Sequence, residues 1–150
     1  QDLMRNQFYK QRSDFELSAI ERDKTQVMPE GVSVQTDIPY MNDGDKAHRM
    51  DVYRPEGSED TTLPVVINIH GGGLLIGSKE FNRFFCAKLS RLGYLVFSIE
   101  YRLVPDCMVF DQFSDVCNAF KYINAHLGEY NGDSNHIYGV ADSGGADLLT

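Results

Sequence analysis

Hydrophobic and polar positions along the chain change period several times, and each change predicts an element. From Leu3 to Val27 a charged stretch carries apolar residues at Phe8, Phe15, Ile20 and Val27 and contains neither Gly nor Pro. That spacing predicts one or two amphipathic helices, ended by Pro29 and Gly31. Alternation follows: Val32, Val34, Thr36, Ile38 and Tyr40 share one face, while Ser33, Gln35 and Asp37 share the other. This is the pattern of a half-buried strand. Asn42-Asp43-Gly44-Asp45 is turn chemistry, because Asp-Gly readily supplies positive φ, and His48 to Tyr53 returns as a hairpin partner.

Beyond the polar loop from Pro55 to Thr62, the run Leu63 to Ile69 is short and continuously apolar, which suits a strand buried on both faces. Glu80 to Leu92 reads as a helix with Phe81, Phe84, Phe85, Leu89 and Leu92 inward and Gly93 as its stop. Tyr94 to Ile99 is a second buried strand. Phe110 to Leu127 is a long helix with a core face of Phe110, Phe113, Val116, Cys117, Phe120 and Ile123. Ile137 to Val140 is a third buried strand, and another helix begins at Gly144. Two antiparallel strands followed by alternating strands and helices predict an α/β fold, its sheet mixed, parallel in the core and covered by helices on both faces.

Composition narrows the function classes. Hydrophobic residues make up 42% of the 150, enough for a core, and the net charge is −8. An acidic surface argues against a nucleic-acid partner and disfavours anionic substrates. No apolar run approaches the roughly 20 residues of a membrane span. Cys86, Cys107 and Cys117 form no CxxC pair and leave an odd thiol, which reads as buried, reduced cysteines in a cytoplasmic protein. No spacing of His and acidic residues suggests a metal, and no cofactor is expected.

Two sites carry chemistry. At the end of the first buried strand, His70-Gly71-Gly72-Gly73 places three glycines where core packing has no use for them. Such a loop lets a phosphate or an oxyanion approach the backbone N–H groups. No phosphate-loop pattern follows, and a merely tight turn stays open. At the end of the third buried strand, Ala141-Asp142-Ser143-Gly144-Gly145 occupies the strand-to-helix position of a nucleophile elbow, with Ala141 where glycine is usual. Alone the string also fits a serine helix cap. Together the two sites pair backbone donors with a nucleophile at the carboxyl ends of parallel strands, which is what acyl transfer needs.

With HGGGLLIGS (70–78), YRLVPD (101–106), Asp115 and ADSGGADL (141–148), the chain resembles the hormone-sensitive-lipase-like branch of the α/β-hydrolase fold. The resemblance implies a serine-dependent carboxylic-ester hydrolase acting on small or short-chain acyl esters. It implies Ser143 as nucleophile and the N–H groups of Gly71, Gly72 and Gly144 as oxyanion hole. His70 and Gly73 would orient the loop, and Ala141, Asp142 and Gly145 would support the elbow. Residues 1–28 would be a helical cap segment, and 29–150 the amino-terminal half of the catalytic domain. The departures are Ala141 for Gly, Gly144 for Ala, Ala146 for Gly, Asp147 for Asn, and Cys107-Met108 for His-Pro.

In this fold the triad order is Ser, acid, His. His48, His70, His126 and His136 all precede Ser143 and read as structural or surface residues, not as the base. The expectation is therefore half an active site, whose acid and histidine follow Thr150 in a longer protein. Two alternatives stay open. One is a catalytically inactive small-molecule binder on the same scaffold, as in the gibberellin receptors. The other is a homo-oligomer in which a partner chain completes the sheet.

Overall fold

The computed structural model describes residues 2–71 and 77–141. The first element is a single helix, α1 (Asp2–Asp23). Strands β1 (Val32–Pro39), β2 (Arg49–Pro55) and β3 (Leu63–Ile69) follow, then helix α2 (Arg83–Arg91), strand β4 (Leu95–Ile99), helix α3 (Val109–His126) and strand β5 (Gly132–Ala141). The sheet order is β1-β2-β4-β3-β5. The β1–β2 and β2–β4 pairs are antiparallel, and β4–β3 and β3–β5 are parallel. The helix expected from Gly144 lies outside the described residues.

Strand alternation assigns one helix to each face. Met50, Val52, Val65, Ile67, Leu95 and Phe97 point to one side and pack with Val116, Ala119 and Ile123 of α3. Tyr53, Val66 and Val96 point to the other and pack with Cys86 and Ala87 of α2. The expected mixed sheet with helices on both faces is what forms.

Several side-chain expectations change. In α2 the inward residues are Phe84, Cys86, Ala87 and Ser90, while Phe85 and Leu92 are exposed. In α3 they are Gln112, Asp115, Val116, Ala119 and Ile123, while Phe110 is 81% exposed and Phe113 also faces out. The helix is turned this way because Asp115 is satisfied internally, so the polar stripe can go inward. Cys117 turns outward with the same rotation, against the expectation that it is buried.

β1 does not keep its alternation. Asp37 takes φ 59 and the register shifts between Gln35 and Ile38, so Val32 packs on the α2 side of the sheet and Ile38 and Tyr40 on the α3 side, while Val34 and Thr36 are exposed. β5 also differs from a buried strand, because Ile137 and Tyr138 are 40% and 50% exposed. It pairs with β3 and is a sheet edge among the described residues.

α1 is held by polar clips and few buried apolar contacts. Leu3, Met4, Leu17 and Ile20 are exposed, so the expected amphipathic burial is slight. At one end Tyr9 Oη donates to Asp106 Oδ1 at 2.5 Å, and Arg12 donates to Asp106 and to the Val104 carbonyl. At the other, Arg22 donates to the Phe81 carbonyl, Asp23 pairs with Arg83, and Phe15 meets Phe81 with ring centroids 5.0 Å apart. Among the described residues no helix is long and apolar enough to cross a membrane.

Candidate functional site

β3 and β5 are adjacent and parallel, and their register pairs Ile69 with Ala141. The residue before the first motif and the first residue of the second are thus cross-strand partners, about 5 Å apart in the hydrogen-bonding direction. His70 and Gly71 follow one strand, and Ala141 ends the other, at the same end of the sheet. Ser143, with Gly72, Gly73, Asp142, Gly144 and Gly145, lies outside the described residues. His70, Gly71 and Ala141 lie within them.

His70 is fully buried. Its ring stacks on Tyr101, with centroids 4.3 Å apart and planes 8° apart. Nδ1 lies 2.9 Å from the Gly71 carbonyl and Nε2 lies 3.1 Å from Glu100 Oε1. Tyr101 Oη donates to the His70 carbonyl at 2.6 Å. Gly77 closes the site from the far end of the motif. At φ +98 it packs so tightly that an added Cβ would lie 2.7 Å from the Gly71 oxygen and 2.8 Å from His70 Nδ1. Only glycine fits both that conformation and that space.

A second group of buried polar residues supports the loop's departure. Lys79 is 3% exposed and donates to Asp37, Asp51 and Glu80 at 3.0, 2.9 and 2.5 Å. Desolvation alone would depress the Lys79 ammonium, but the carboxylates Glu80, Asp51 and Asp37 outweigh it and hold its pKa above the usual value. The Asp37 backbone N–H also bonds Asp51, and Ser98 Oγ donates to the Lys79 carbonyl. Asp51, Ser98 and Asn68 are direct cross-strand neighbours, all buried. This polar row hides inside stretches that read as apolar runs, and only Asp51 gives a sequence signal, as an acid within a strand.

The YRLVPD segment is anchored from below. Asp115 is fully buried and accepts from Arg102 Nε and Nη2, from the Arg102 backbone N–H, and faces His48 Nε2 at 2.9 Å. The hydrogen bond to Asp115 holds the Arg102 guanidinium above its ordinary pKa. His48 spans from Asp115 to Asp43, so it is structural. His126 stacks on Tyr122 and His136 pairs with Asp133 at the surface, far along the chain from the glycine motif.

Two clefts meet at Gly77 and Ser78, under α1. One, of about 450 Å³, is lined by polar residues including Arg12, Glu16, Tyr101 and Arg102. The other, of about 280 Å³, is lined by Phe15, Ala19, Ile20 and Phe81. Both clefts therefore open at the carboxyl end of the glycine motif.

Comparison with known proteins agrees with this geometry. The family model described as BD-FAE matches residues 50–150. A rice protein described as a probable isoprenylcysteine alpha-carbonyl methylesterase is 32% identical over 101 residues, covering 67% of this chain and 24% of that protein. Esterase B from Lactobacillus rhamnosis, inhibited by a tributyrin phosphonate, superposes with TM-score 0.94 at 27% identity, covering 99% of this chain and 48% of that one. A hyperthermophilic esterase from Pyrobaculum calidifontis gives TM-score 0.77 at 29% identity, covering 94% and 44%. The chain thus spans about a quarter of the curated relative's length and about half of the solved structures. It belongs to the BD-FAE family, among the hormone-sensitive-lipase-like esterases of the α/β-hydrolase fold.

Proposed function

We propose that this chain supplies the nucleophile and oxyanion hole of a serine-dependent carboxylic-ester hydrolase. The observation that supports the reading is the Ile69–Ala141 pairing, in which the residue before the first motif lies beside the first residue of the second. In the reaction, Ser143 Oγ attacks the ester carbonyl, and the carbonyl oxygen becomes an oxyanion. The N–H groups of Gly71, Gly72 and Gly144 stabilise that charge, aided by the amino terminus of the helix that the sequence predicts from Gly144. The C–O bond to the alcohol breaks, and the alcohol leaves with a proton. Water then hydrolyses the acyl-enzyme, regenerating Ser143 and releasing the acid.

An unassisted serine hydroxyl is a poor nucleophile, so the proton must pass through a histidine oriented by an acid. The chain order of the fold puts both after Ser143. The buried, doubly engaged His70 supports a role in shaping the loop. The clefts beneath α1 support small or short-chain acyl esters as substrates and α1 as part of a cap. The tributyrin phosphonate on esterase B and the methylesterase relatives point the same way.

The test is labelling of the intact protein by a fluorophosphonate, with hydrolysis of short-chain nitrophenyl esters beside it. Ser143 should carry the label, and Ser143→Ala should lose both labelling and hydrolysis. A folded wild-type protein that neither labels nor hydrolyses leaves only the ligand-binding alternative.

A further inference from the structure

Tyr101 and Glu100 close around His70 from two directions. Tyr101 is 1% exposed. Its ring covers one face of the imidazole, and its hydroxyl holds the His70 carbonyl. Glu100 meets the ring at Nε2, opposite the nitrogen that faces Gly71. Both residues come from the end of β4, which pairs with β3 through Ile69 and Ile99. Gly77 blocks the remaining side, since even a methyl group there would strike His70 Nδ1 and the Gly71 oxygen.

The consequence falls on the Gly71 carbonyl. It is turned inward onto His70 Nδ1 at 2.9 Å. A trans peptide carries its N–H opposite its carbonyl. The Tyr101 hydroxyl on the His70 carbonyl therefore sets the direction of the Gly71 N–H, on the opposite edge of the same peptide, and the His70 ring on the Gly71 carbonyl keeps that residue from turning. Oxyanion stabilisation depends on donors held in place before the charge appears. A ring free to turn would release the Gly71 carbonyl and let the backbone on either side of it rotate.

We infer that Glu100 and Tyr101 are positioning residues: together they clamp His70 and its carbonyl so that the His70–Gly71 peptide presents the Gly71 N–H to the oxyanion. This rests on the esterase reading above. Neither residue touches the reacting atoms in this proposal, and both act through His70. Their effect should fall on the transition state, hence on kcat and not on KM.

The experiment uses the intact protein and the variants Tyr101→Phe, Glu100→Ala and the double variant. Thermal unfolding is recorded for each, and kcat and KM are measured well below every midpoint. Tyr101→Phe keeps the stacked ring and removes the hydroxyl that holds the His70 carbonyl, and should lower kcat about 10-fold. Glu100→Ala should lower kcat about 10- to 100-fold, with KM within about twofold. The double variant should lose less than the product of the two, because both act on one histidine. Wild-type kcat in both folded single variants, or a change confined to KM, overturns the clamp. Should Glu100→Ala not fold, Tyr101→Phe decides alone, and a kcat within about twofold of wild type overturns the inference. Fluorophosphonate labelling of Ser143 in the wild type separates the two failures. An unlabelled wild type removes the esterase reading, whereas a labelled wild type with unaffected variants removes only the clamp.

Discussion

His70 enters the glycine motif through a stacked ring and hydrogen bonds, whereas Lys79 leaves it through an ammonium shared by three carboxylates. Both side chains are buried, and both tie the loop to neighbouring strands. Their contacts differ in what they grip. His70 and its neighbours touch loop backbone directly, at the His70 and Gly71 carbonyls. Lys79 instead grips Asp37 on β1 and Asp51 on β2, below the loop, and its own carbonyl accepts from Ser98. The first anchor should therefore govern the loop's geometry and the second its attachment. Activity should be sensitive to one and stability to the other.

The largest stability effect should come from Lys79→Met, which leaves the buried Asp51 without its cation. Removing one partner of a buried ion pair costs about 3–5 kcal/mol. Denaturant unfolding should show that loss. The kcat per active site, counted by fluorophosphonate titration, should stay within about threefold of wild type. A large drop in kcat per titrated site would erase the distinction between the anchors.

Gly77→Ala should show the opposite balance. The substitution places a methyl group 2.7 Å from the Gly71 oxygen, at a backbone angle that costs an L-residue about 1–3 kcal/mol. The displaced group belongs to the loop itself. A shift of about 1 Å there should reduce kcat about 100-fold. Equal activity in wild type and variant would show that the Gly71 carbonyl has no say in catalysis.

How much of this could be read from the sequence follows the same division. Leu63–Ile69 and Leu95–Ile99 were readable as central strands because both faces bury apolar side chains, which leaves no period to misjudge. The glycine motif was readable because three adjacent glycines have no packing use. Gly77 is part of the same motif, but its role needs a contact six residues back, which no local pattern encodes. In α3 only part of the apolar stripe faces the core: Val116 and Ile123 are buried and Phe120 packs against them. Phe110, Phe113 and Cys117 make an apolar stripe, yet Asp115 and Gln112 go inside because Arg102 receives them. An apolar period gives a helix and not its rotation when a distant arginine can make the polar stripe the buried one. Lys79 and its carboxylates escaped for a related reason: their partners lie on three elements brought together only by the sheet.

The smallest effect should be that of Asp37→Asn, and its pH dependence sharpens the description of the second anchor. Asp37 lies 3.0 Å from Lys79 and its side chain is 56% exposed, so the pair is screened by water and should contribute under about 1 kcal/mol. Asn tolerates the positive φ at this position, so the fold should be retained. The Lys79 hydrogen bond holds the Asp37 carboxyl below its usual value of 3.8. A depressed carboxyl pKa means that the folded state favours the ionised form. Its contribution is complete above about 3.8 and disappears as pH falls through the lower folded value. The stability difference between wild type and Asp37→Asn should therefore be constant from pH 7 to about 5, then contract as acid protonates the wild-type carboxyl. Asp51 works in the other sense, because desolvation raises its pKa in spite of Lys79, so its protonation favours the folded state as pH falls. Since Asp51 is common to both proteins, it should cancel from the difference to first order. A difference that widens in acid would mean that Asp37 is not held ionised by Lys79, and the second anchor would then reduce to the buried Lys79–Asp51 pair.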